Sequence, residues 1–162
     1  MAMIVSKIEI ACPPDEVFSY VTDPSRFAEW QEGVVDGCME GGRSPVVGSK
    51  CTTTRRIGGA ERAVTSKITE ISPPRSWTVR GVDGPIRAIV KVTVEPLDKS
   101  LRSRVTIALD FEGHGIGKLL VPLVVRRQAR NEMPANLKRL RERIESHSGG
   151  RTDQPEPERQ PE

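Results

Sequence analysis

The chain has 162 residues, with 25 Lys and Arg against 22 Asp and Glu for a formal net charge of +3, and it is 36% hydrophobic but only 4% aromatic. That is one domain's worth of sequence built on an aliphatic core, and so small a positive surplus gives no argument for nucleic acid as a partner. The longest apolar run, residues 119–125 with Pro122 counted, is far too short to span a membrane, so an integral membrane protein is excluded.

The first ten residues carry Lys7 and Glu9 and no long apolar stretch, so no secretory signal is expected. The three cysteines, Cys12, Cys38 and Cys51, are odd in number and show no C-x-x-C spacing. A disulfide scaffold and a Cys-based zinc site are therefore not expected, and a reducing cytoplasm fits. Met3 to Ile10 is rich in Ile and loosely alternating, which predicts a strand. Pro14 with Asp15 and Glu16 opens a short helix running to about Val21, because proline suits a first helical turn and acids there complement the helix dipole. Asp23-Pro24 repeats the signal and predicts a second short helix to about Trp30.

The middle of the chain reads as six strands: Val34–Glu40, Val47–Ile57, Ala63–Ile71, Trp77–Val82, Ile86–Glu95 and Arg102–Glu112. Gly41-Gly42, Gly58-Gly59, Pro73-Pro74, Asp83-Gly84 and Asp98-Lys99-Ser100 supply the turns between them. Ile86, Ala88, Val90, Val92 and Val94 share one face of their strand, as Val105, Ile107, Leu109 and Phe111 do of theirs, while the opposite faces are mostly polar. This is the pattern of an antiparallel sheet covered on one side. In an up-and-down meander, Gly58-Gly59, Asp83-Gly84-Pro85 and the Glu112–Gly117 exit should gather at one rim.

The cover should be the last element, from Ile116 to about Ser146. Its apolar residues at Leu119, Leu120, Leu123 and Val124, then Met133, Leu137, Leu140 and Ile144, mark an amphipathic helix. Pro122 places the regular start near Val121, and Pro134 predicts a kink just upstream. Between Val125 and Met133 the stripe turns polar, which suits a cavity better than a packed core. His147–Glu162 has no large apolar residue and three prolines, so residues 1–146 are read as the domain and 147–162 as a disordered tail.

The stretch I-x-I-x-x-P-P-x-x-V-F-x-Y-V-T-D-P-x-R-F-x-x-W from Ile8 to Trp30 carries a family resemblance. So do V-G-S from Val47 to Ser49, I-T-E-I-x-P-P-R-x-W from Ile68 to Trp77, and N-L-x-x-L-x-x-x-I-E from Asn136 to Glu145. With the element order, these resemble the START / Bet v 1-like helix-grip superfamily (SRPBCC), in its bacterial polyketide cyclase/dehydrase and lipid-transport-like branch. The resemblance implies an α+β fold: a seven-stranded curved antiparallel sheet wrapped around a long C-terminal helix, with two short helices between strands 1 and 2. It also implies that an apolar or polycyclic small molecule or lipid binds between sheet and helix, without a cofactor. Its motifs place caps, turns and packing, and name no chemistry.

The residues set against such a cavity are Trp30 and Trp77 as stacking surfaces, Ala88, Val90 and Ile107 on the apolar sheet face, and Leu120, Val124 and Gln128 on the helix. Asn131 joins Gln128 as a polar group able to orient a ligand oxygen. His114, in the Gly-His-Gly-Ile-Gly exit loop, is the candidate proton shuttle, since its near-neutral reference pKa suits acid–base work. No metal site is expected, one histidine there being too few for zinc. Between Gly117 and Ser146 eight Lys and Arg face three Glu, a basic face read as solvated by i to i+4 partners. Three functions remain open: a binding or carrier protein; a cofactor-free cyclase or dehydratase working on a poly-β-ketone; and a protein-interaction module, as monomer or homodimer.

Overall fold

The computed structural model describes residues 3–149 except Arg43 and Gly58. Strand β1 (Ile4–Ile10) leads into α1 (Pro14–Val21), a 3-10 turn (Pro24–Arg26) and α2 (Phe27–Trp30). Six strands follow: β2 (Val34–Met39), β3 (Lys50–Ile57), β4 (Ala60–Ser72), β5 (Ser76–Gly81), β6 (Ile86–Leu97) and β7 (Arg102–Gly113). The chain closes with α3 (Gly117–Leu120), a π-helical turn (Val121–Val125) and the long α4 (Arg126–Gly149). All pairings are antiparallel in the order β1-β7-β6-β5-β4-β3-β2. This is the helix-grip arrangement.

Local chemistry accounts for the two short helices. Pro14 stands in the first turn of α1 with Asp15 and Glu16 beside it, and α1 buries Val17, Phe18, Tyr20 and Val21. Thr22 ends it, donating both its backbone N–H and its hydroxyl to the Phe18 carbonyl. The Asp23 carboxylate accepts from the Ser25 amide at 3.0 Å and starts the next turn. That turn lies against β2 so closely that a Cβ at Gly37 would overlap the Pro24 carbonyl.

The last element differs from its expected form. The helix begins at Gly117, four residues before Val121, and widens into the π turn at Val121–Val125. Pro122 brings no N–H to an α-helical ladder there, and a wider turn accommodates the break. Pro134, in contrast, lies inside the uninterrupted α4. The helix also runs to Gly149, through His147 and Ser148, because the Ser148 hydroxyl finds partners 3.2 Å away at the Cys12 thiol and 3.4 Å away at Glu16. The expected tail beyond it, 150–162, lies outside the described residues.

Met133, Leu137, Leu140 and Ile144 form the buried stripe of α4, packed with residues of α1, α2 and the sheet in one core. The helix contacts β1 and α2 most. Because α4 crosses there, the concave sheet face is covered unevenly. At one end Val94, Val105, Val92 and Ile107 are sealed. Two residues further along the same strands, Val90 and Leu109 are only half-buried, and so are Ala88 and Phe111 beyond them.

The turns at the open end gather as expected for two of the three. The His114 amide donates to the Pro85 carbonyl at 2.8 Å, and a Cβ at Gly117 would overlap that same carbonyl. Gly117 thus lets the exit of β7 lie against the β5–β6 turn. Gly58, in the third turn, lies outside the described residues.

Candidate ligand-binding site

The open end of the grip has an apolar floor and a polar rim. Register sets the floor: Val90 pairs with Leu109 and Ala88 with Phe111, so all four side chains share the concave face, while Val79, paired with Val90, is already sealed in the core. The row behind them, Trp77, Val92 and Ile107, is closed. Trp77 belongs to an aromatic wall in which Phe27 stands edge-on to both Trp30 and Trp77, at centroid distances of 6.0 and 6.2 Å. Trp30 is 4% exposed and its Nε1–H has no hydrogen-bond partner among the described residues. An unpaired buried donor is costly.

The rim comes from β3 and α4. Cys51, Thr53 and Arg55 alternate along β3 on the concave side, the first two buried. Arg55 donates from Nη2 to the Gln31 side-chain oxygen at 3.0 Å. Burial pushes the Arg55 guanidinium below its ordinary range, while the nearby Glu132 carboxylate pulls it back up. Glu132 accepts from the Gln128 side-chain amide at 2.7 Å. Val124, Arg127, Gln128, Asn131 and Glu132 line an open cavity of about 390 Å³ along this part of α4. The Arg55 guanidinium, with a neutral amide as its hydrogen-bond partner and Glu132 near it, is a group able to hold a ligand oxygen.

The residues singled out from the sequence divide among three places. Trp30, Trp77 and Ile107 sit in the closed core. Ala88 and Val90 sit half-buried on the open floor. Val124 and Gln128 line the α4 cavity, and Val124 is 54% exposed. The Leu120 side chain lies outside what the structure describes. His114 is exposed in its loop, with Nε2 3.9 Å from a Glu112 carboxylate oxygen. Glu112 is itself paired with Arg80, which holds its carboxyl below the usual range. Arg55 and Gln31 did not stand out in the sequence. The signal for Arg55 was its even spacing from Cys51, the mark of a shared strand face.

A second crevice, of about 440 Å³, lies at the opposite end of α4 and is lined by residues that include Cys12, Glu16, Tyr20, Arg26 and His147. Its groups satisfy one another. Tyr20 donates to Glu29, Arg26 lies 4.9 Å above the Tyr20 ring, and His147 meets that ring edge-on at 5.9 Å. Burial, together with the hydrogen bond to Glu29 and its charge, pushes the Tyr20 hydroxyl up to about 12. Among the described residues no group of three or more His, Cys, Asp or Glu is placed to hold a metal ion, and no helix is long and apolar enough to cross a membrane.

Comparison with known proteins agrees with this fold. Residues 1–145 match the profile of a family described as polyketide cyclase/dehydrase and lipid transport. A crystal structure of a Thermus thermophilus protein superposes with a TM-score of 0.71 at 18% identity, covering 90% of this chain and 99% of that one. A START superfamily protein from Mycobacterium smegmatis gives 0.68 at 15% identity, covering 91% and 99%. The di-domain ARO/CYC BexL from the BE-7585A biosynthetic pathway gives 0.69 at 15% identity, covering 90% of this chain and 47% of that one. At these identities the likeness is one of fold. Two uncharacterised Mycobacterium tuberculosis proteins are 36% identical over 67 residues, 41% of this chain and 30% of theirs. The matched segment thus spans under a third of the length of those relatives.

Proposed function

Because the chain belongs to the polyketide cyclase/dehydrase and lipid transport family, we propose that it is a binding or carrier protein for an apolar or polycyclic small molecule. The ligand lies over Val90, Leu109, Ala88 and Phe111 and turns a polar oxygen toward Arg55 and the Gln128–Glu132 edge of α4. The family and the fold fit a START/polyketide cyclase-like ligand-binding domain. One observation carries the finer reading. Along β6 and β7 the concave face passes from sealed (Val92, Ile107) to half-buried (Val90, Leu109) within two residues, although the side chains stay apolar. A sheet face that is apolar and yet only partly covered by the described residues is suited to a ligand. His114 lies beside the Arg80-paired Glu112, which gives the cyclase alternative no support from that residue.

The test is uptake of an environment-sensitive apolar dye by the native protein and its displacement by flat aromatic or acyl compounds. Saturable uptake with displacement is the expected result. A native protein that takes up no dye has a packed interior, and the protein-interaction module would replace this reading. Native mass spectrometry of the protein purified from its own cells would then identify the ligand by mass.

A further inference from the structure

The first turns of the C-terminal helix present an apolar side that no described residue covers. Gly117 and Val121 face inward and are buried, Gly117 against the Pro85 carbonyl. Ile116 and Leu119, three residues apart, therefore share the outward side, at 67% and 68% exposure, and Val124 follows at 54%. Single exposed aliphatic residues are ordinary; three within nine residues at one tip are not.

The segment that forms this tip carries charge of one sign. From Gly113 to Asn131 the sequence holds Lys118, Arg126, Arg127 and Arg130 and no Asp or Glu. Lys118 and Arg127 are exposed next to the apolar residues, while Arg126 turns inward to Asp110. Of the acids nearby, Glu112 is paired with Arg80, Asp83 of the adjoining turn accepts from the Thr65 amide, and Glu132, bonded to the neutral Gln128 amide, keeps its charge one helical turn beyond Arg127 and Gln128. Apolar side chains ringed by bases match an anionic bilayer, where the aliphatic groups enter the headgroup boundary and the cations meet lipid phosphates. A protein partner for the same patch would need to bring acids of its own.

We propose that Ile116, Leu119 and Val124, flanked by Lys118 and Arg127, dock this protein on an anionic membrane surface. Val124 and Arg127 also line the α4 cavity, so docking sets the open end of the grip against the lipid. The docking stands apart from what the grip binds, and its test separates the two.

The full-length protein is sedimented with phosphatidylcholine vesicles, with and without phosphatidylserine. Binding is expected with phosphatidylserine, should weaken as salt rises, and should be slight without the anionic lipid. Ile116→Asp/Leu119→Asp should lower the binding at least about tenfold, and Lys118→Glu several-fold. Both residues of the double variant are exposed, so its thermal melt and its dye uptake should match the wild type. Absence of binding to phosphatidylserine vesicles overturns the proposal, as does a double variant that binds unchanged. A concentration-dependent dimer that the same double substitution abolishes, without vesicle binding, also overturns it and makes the patch a contact between two copies of this chain.

Discussion

Arg126 of α4 reaches Asp110 of β7 beyond the end of the β1–β7 ladder, donating to its carboxylate and lying 3.5 Å from the Phe111 carbonyl. Among the described residues that ladder ends at the pairing of Ile4 with Leu109. The ion pair anchors the start of α4 at the point where strand pairing stops. Burial works against ionisation of Asp110, but the Phe111 amide at 2.8 Å and the Arg126 guanidinium outweigh it and hold the carboxyl below its usual range.

Asp110→Asn should therefore cost about 1–3 kcal/mol near neutral pH, the range for leaving a buried polar group poorly paired. The folded-state pKa lies below the unfolded one, so the contribution is complete above about pH 4 and is lost as pH falls through the folded value. Urea unfolding of both proteins from pH 7 to pH 3 checks this, and the gap between the two curves should narrow toward the acid end. Equal midpoints at pH 7 would mean that the pair contributes nothing.

The stripe of α4 should carry a large share of stability. Leu137 and Leu140 are 3% and 0% exposed, in one core with Val17, Phe27 and Trp77. Each substitution to alanine should cost about 2–4 kcal/mol, from lost transfer free energy and the cavity left behind. Denaturant midpoints measure it. A loss near zero at both positions would show that the helix does not close the sheet.

That stripe was legible in the sequence because spacing of three and four survives any tertiary detail. The alternation of β6 and β7 was legible for the same reason. The boundary between sealed and open sheet was not. It depends on where α4 crosses, and that follows from contacts between residues far apart in the chain, such as Glu145 accepting from the Ala11 amide at 3.0 Å and Asn136 from the Glu32 amide at 3.0 Å. Arg55 drew no reading from the sequence, because a lone base on a strand stands out only once its phase with Cys51 is tied to a buried face. The helix end was placed three residues early because Ser148 and His147 look like tail until Cys12, Glu16 and Tyr20 stand beside them.

The thiols should react in an order set by burial. Cys12 and Cys51 are 1% and 3% exposed, and desolvation pushes both above the usual thiol range, whereas Cys38 is exposed. For Cys12, the Glu16 carboxylate adds to the rise and Ser148 lowers it in part. A disulfide-exchange reagent near pH 8 should modify one thiol quickly in the native protein and all three after denaturation. Rapid modification of Cys12 in the native state would show that the last turn of α4 opens readily.

A pair of substitutions on β6 tests whether the grip is open where Val90 is half-buried. Ala88 lies in the open part and Val92, 2% exposed, in the sealed part, and both point to the concave face. In Ala88→Phe the added ring enters space that the protein itself does not fill. Folding should be little changed, and dye affinity should fall about tenfold or more because the ring takes the ligand's place. In Val92→Phe the same chemistry meets Ile107 and Trp77, its register partners. Overpacking there should cost about 1–3 kcal/mol. Thermal melts and dye titrations on the two variants separate the cases. If Ala88→Phe destabilises as much as Val92→Phe, the two ends are equally packed, and no ligand space remains along β6.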